Sequence, residues 1–296
     1  MTENDIAAHA STRDTPAEGG LRGFMNRGGA WRFLAFLVVY LAVYLGAGRL
    51  GGMIGGHFAT DDVLTSVGSV FVQVTFPLVV GAIVLVALSR YLGWTGELYG
   101  RQPVYRSWWM WIAPVVVLVP VVLRVFGIDW GGIGTDVVVF MLLTGLLIGF
   151  VEELTYRGLA VKMLRDGGHG EWVVAALSSV FFALSHSANL LSGQSITVVG
   201  PTVVYTLGFG VLMYLSMRAI GYLAGAMILH GLTDPTTVLA TGGIDKVGDG
   251  GTTNDVLSAA GLVAFPLVII GLVLLIFIRG RAPGRAQSSR QPSPRG

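Results

Sequence analysis

The chain contains no cysteine, which excludes disulfides, thiolate nucleophiles and cysteine–zinc sites and leaves redox compartment unmarked. Charge is also scarce. Charged residues make up 12% of the 296 positions, against about 25% in an ordinary soluble domain. Apolar residues reach 53% and mean hydropathy is +0.70, so there is too little polar surface to cover a globule in water. The first 28 residues lack the short apolar core of a signal peptide, and the first apolar run is expected to stay as a membrane anchor. No repeat of fixed period is present. Net charge is only +2, and no nucleic-acid partner is expected.

What the chain has instead is long apolar runs. Several reach the ~20 residues that a helix needs to cross a bilayer core, whereas barrel strands would alternate over ~10 residues. The expectation is an all-α polytopic bundle of about eight transmembrane helices: 31–48, 63–88, 108–126, 137–164, 172–191, 202–217, 222–240 and 257–278. Only Arg49, Arg124 and Lys246 of the nineteen basic residues then fall on one side. The positive-inside bias puts both termini in the cytoplasm, as expected for a cell-membrane protein. Residues 1–30 read as a disordered cytoplasmic tail, 31–279 as the bundle with its functional core at 137–240, and 280–296 as a basic disordered tail lying against anionic lipid. High Gly, Ala, Val and Arg usage is compatible with a bacterial plasma membrane.

Ionisable groups inside spans cost at least ~2.5–3.5 kcal/mol each on insertion scales and mark function by default. Here the fourth span holds Glu152, Glu153 and Arg157, the fifth His186, and the seventh His230 and Asp234. Helical spacing sorts them. Glu153 and Arg157 are four apart and can pair, whereas Glu152 is turned by about 100° onto a face shared with Tyr156. Phe182 and His186 share a face, as do His230 and Asp234. Counting from the glycine turn at Gly168 puts Glu152 and His186 roughly 24 and 27 Å along their helices. From Gly221, His230 and Asp234 are roughly 14 and 20 Å along theirs, so all four groups can meet at one level. Gly145 and Gly149 read as a surface for close helix approach. Pro235 disfavours helix beside the site, so a kink or stop of the seventh span is expected there.

At these residues the chain resembles the CAAX protease and bacteriocin-processing enzyme family of intramembrane endopeptidases. Three ordered motifs carry the resemblance: Glu152-Glu153-Leu154-Thr155-Tyr156-Arg157, Phe182-Ala183-Leu184-Ser185-His186 and His230-Gly231-Leu232-Thr233-Asp234. The resemblance implies peptide hydrolysis in the membrane. Glu152 would activate a water with help from His186, His230 and Asp234 would stabilise the oxyanion, and Glu153 and Arg157 would support the base. The third motif ends in Asp where the best-known members have Asn, so Asp234 must either carry a proton or orient His230. No cofactor is expected, although Glu152, His186, His230 and Asp234 are also a plausible zinc ligand set. Expected partners are membrane lipid and a membrane-bound or lipidated peptide. The alternatives are a proton-coupled transporter using the same relay and a non-catalytic membrane scaffold of the bacteriocin-immunity type.

Overall fold

The computed structural model describes residues 19–243 and 254–283. Within them the chain is helical without strands. The principal helices are α1 (Gly20–Asn26), α2 (Ala30–Gly55), α3 (Phe76–Leu92), α4 (Ile112–Gly127), α5 (Thr135–Glu153), α6 (Val161–Asp166), α7 (Glu171–Ser185), α8 (Ile196–Ile220), α9 (Leu223–Thr241) and α10 (Asp255–Leu275). Between α5 and α6 the helix does not break. It widens into a π-helical stretch over Leu154–Ala160, giving one continuous run from Thr135 to Asp166.

Seven of these runs are long and apolar enough to cross a membrane. The seventh expected span, α9, falls short because His230, Asp234 and four threonines interrupt its apolar residues. Its position nevertheless requires it as an eighth crossing. The start of α2 and the end of α10 meet at the same end of the bundle: Gly29 N–H donates to Met163 O at 2.6 Å, and Glu171 N–H donates to Gly280 O at 2.9 Å. Both contacts lie at the α6–α7 turn, and ends that share a side demand an even number of crossings. The far end is fixed independently by Asn254, which caps α10 and donates its amide to Gly127 O at 2.8 Å.

The expected tail at 1–30 overlaps a short ordered helix. α1 buries Met25, and the indole of Trp94 donates to Asn26 Oδ1 at 2.9 Å, so local apolar contact holds what its polar flank did not advertise. Residues 1–18 and 284–296, where the rest of both tails was expected, lie outside the described residues, as does Lys246.

Helix α9 runs directly against α5, and glycines set the distance. A Cβ on Gly149 would sit 2.2 Å from Met227 O and 2.5 Å from Gly231 N, and one on Gly145 would sit 2.3 Å from Pro235 Cγ. Gly231 returns the approach against Leu146 Cα. Small residues on both faces let the backbones touch, which is how membrane helices gain packing without a hydrophobic driving force. Of the kink or stop expected at Pro235, the stop does not occur. The helix continues to Thr241, with the buried proline ring packed against Gly145.

Gly149→Leu is expected to lower thermal stability in detergent by at least ~1–3 kcal/mol, because the clashing atoms are backbone and cannot yield. Gly46→Ala on α2, whose Cβ meets nothing within 4 Å, serves as the control and leaves the melting temperature unchanged.

Candidate active site

The glycine contact brings the end of α5 beside the middle of α9. Glu153 has no solvent exposure there, and one of its oxygens serves two partners. Oε1 accepts from Arg157 Nη1 at 2.8 Å and from His230 Nδ1 at 2.7 Å. Because a carboxylate only accepts, the short bond to His230 puts a proton on Nδ1 and fixes the ring's orientation. Arg157 Nη2 also donates to Gly210 O on α8 at 3.0 Å, and its guanidinium lies 4.5 Å from the Phe182 ring centre. Three helices are thus tied to a single buried ion pair.

With Nδ1 committed, His230 presents Nε2 to the two remaining carboxylates. Glu152 Oε2 lies 3.5 Å away and Asp234 Oδ2 lies 3.4 Å away. Both separations exceed the ordinary 2.7–3.2 Å of an N–H···O hydrogen bond. Glu152 and Asp234 are partly open, at 27% and 35% side-chain exposure, whereas His230 is at 2%. The result is a buried imidazole edge flanked by two accessible carboxylates. Such a group can orient a water, pass a proton or meet a developing negative charge.

His186 caps the end of α7. The last carbonyls of a helix lack intrahelical partners, and Phe182 O collects two donors, Ser185 Oγ at 2.7 Å and His186 Nδ1 at 2.9 Å. This leaves His186 Nε2 unprotonated in the neutral ring. The Phe182 ring stands edge-on to both imidazoles, 4.9 Å from His186 and 5.8 Å from His230. Tyr156 packs against the same ring at 5.1 Å. The alternative zinc set is only partly gathered: Glu152, His230 and Asp234 each offer a ligand atom within 4.8 Å of the others, and His186 is outside this group.

Sequence reasoning paired Glu153 with Arg157 but did not link it to His230, which is 77 residues away. It also passed over Phe209, whose ring packs 5.0 Å from His230 and stacks on Tyr205. An aromatic in an apolar span carries no signal of its own. The π-helical stretch directly after Glu153 was likewise invisible, although such segments recur at functional sites.

Residues 134–236 match the Rce1-like family of type II CAAX prenyl endopeptidases. The endopeptidase match spans roughly a third of the chain and contains every residue of this cluster. No curated protein and no solved structure matches the chain. Together with the seven long apolar helices, the match marks a membrane protein whose central third is similar to the CAAX-type endopeptidases.

Removing Arg157 would strand the buried Glu153 charge. Arg157→Met should cost about 3–5 kcal/mol in equilibrium unfolding, and adding Glu153→Gln should recover part of that loss, giving a double variant less destabilised than the sum.

Proposed function

We propose that the protein is an intramembrane endopeptidase that hydrolyses a peptide bond of a membrane-associated substrate with a water activated by Glu152. The observation that carries this reading is the committed Nδ1 of His230, which leaves Nε2 facing Glu152 across 3.5 Å. Glu152 takes the proton from the water as the oxygen attacks the scissile carbonyl. His186, with its free Nε2, assists that transfer. His230 in its doubly protonated form donates Nε2–H to the oxyanion, and Glu153 balances the imidazolium charge through Nδ1. Asp234 faces Nε2–H in the resting site and yields it when the substrate oxygen arrives, which fits a 3.4 Å separation beyond ordinary hydrogen-bond length. The proton held on Glu152 then passes to the leaving amine. Arg157 and Glu153 do not touch the reacting atoms; they position His230. Both termini are on the cytoplasmic side in this reading, and the membrane is a bacterial plasma membrane.

A second reading has one supporting observation, the three ligand atoms within 4.8 Å. One imidazole and two carboxylates form a donor set suited to a catalytic divalent cation, and Glu153 on the far nitrogen of His230 would be the usual outer partner of a metal-bound histidine. Glu152 would then be a ligand and not a base.

The test uses reconstituted full-length protein and a membrane-anchored peptide substrate. Glu152→Gln, His230→Ala and His186→Ala should each reduce cleavage by about 10²–10⁴-fold, the range of a lost general acid or base. Wild-type rates in all three would refute the reading. Activity should survive exhaustive chelation; loss on chelation with recovery on added zinc would favour the metal site.

A further inference from the structure

At the end of the bundle that holds the α3–α4 loop lies a cavity of about 530 Å³, lined by Arg101, Val104, Tyr105, Arg106, Arg218 and Gly221 among others. Three arginines line it and no acidic residue does. Arg218 is 2% exposed, and its Nε has no hydrogen-bond partner among the described residues. Its nearest counter-charge is Glu171 Oε2, 3.8 Å from Nη1. That carboxylate is already engaged: Arg165 binds it through two bonds of 2.8 and 2.9 Å, and Tyr214 also donates to it. Arg101 and Arg106 form no ion pair among the described residues. Arg106 reaches only the Ala219 and Ile220 carbonyls, each at a long 3.4 Å. A buried arginine short of charge and two open ones converge on one space.

The cavity is built and not an accident of a loose loop. Gln102 N–H donates to Gly221 O at 2.9 Å, Gln102 Oε1 accepts from Arg165 Nη1 at 2.8 Å, and Arg218 Nη2 donates to Tyr105 O. Its depth in the bilayer is marked by aromatics. Trp108 and Trp111 at the start of the α4 span, and Tyr105 and Tyr222 beside the cavity, are all exposed, the pattern of an interfacial belt at headgroup level. At that level the abundant anion is lipid phosphate, and basic recesses between spans are where such headgroups settle.

We propose that this cavity seats the phosphate of an anionic membrane lipid, with Arg218 as its buried floor and Arg101 and Arg106 as its exposed arms. Val104 and the Tyr105 ring take the glycerol and the first acyl carbons. The site is independent of the peptide chemistry at Glu152 and does not rest on it.

Full-length protein, purified in detergent, is titrated with phosphatidylglycerol or phosphatidylcholine, and bound lipid is counted by native mass spectrometry. Wild type should retain one phosphatidylglycerol in preference to phosphatidylcholine. R101Q and R106Q should each weaken that retention by about fivefold, the change an interfacial basic residue contributes toward an anionic headgroup. R90Q, at the end of α3 and outside the cavity, should leave it unchanged. Each variant's melting temperature without lipid checks that it folds. Equal retention of the two lipids, or equal weakening by R90Q, would overturn the proposal. A third arm adds inorganic phosphate: if millimolar phosphate displaces the lipid, the cavity recognises a soluble anion and the assignment to a lipid fails.

Discussion

The Glu153 carboxylate has no access to water, and the bundle around it is arranged so that its charge is met. A bare carboxylate in this interior would carry a desolvation penalty of several kcal/mol. One oxygen is therefore bonded both to Arg157 and to His230, and Arg157 is in turn bonded to Gly210 on α8 and covered by Phe182 on α7. Four helices converge on this single ion. The π-helical stretch, the glycine contact with α9 and the edge-on aromatics all serve the same condition, that two charges and an imidazole must meet within hydrogen-bond distance and away from solvent.

That arrangement separates two kinds of charged residue in one short motif. Glu153 is consumed by structure: its proton acceptors are occupied or enclosed. Glu152, one position earlier, is partly exposed and faces His230 Nε2 beside Asp234. The two carboxylates differ in sequence by nothing but register, and register alone divides the scaffold role from the one exposed to chemistry. His230 joins them, bound to Glu153 through one nitrogen and open to Glu152 through the other.

Much of this was legible in the sequence because membrane proteins advertise their exceptions. An ionisable residue in an apolar run is conspicuous, and helical spacing was enough to pair Glu153 with Arg157 and to turn Glu152 away. Gly145 and Gly149 signalled close approach, and the structure uses them so. Hydropathy alone would have lost α9, because the residues that make it interesting also make it polar; the charge asymmetry and the paired ends of the chain recover it. What could not be read were contacts with no local signature. His230 on Glu153 is a meeting of distant positions, Phe209 is one apolar residue among many, and the docking of α1 depends on Met25 and Asn26 finding partners far along the chain. The stop expected at Pro235 was judged on an isolated helix, whereas in the bundle its ring packs against Gly145 and the helix runs on.

The π-helical stretch over Leu154–Ala160 has a consequence for the length of the chain itself. Upstream of it the helix must aim Glu152 and Glu153 at α9. Downstream it must aim Lys162 at Glu97 and Arg165 at Glu171, bonds of 2.6 and 2.8 Å that close the other end of the bundle. A uniform α-helix turns by about 100° per residue, and the wider turn is the adjustment that lets both sets of anchors be satisfied by one rod. The stretch works as a vernier between two fixed scales, so that the number of residues between the anchors is as much a part of the design as their identity.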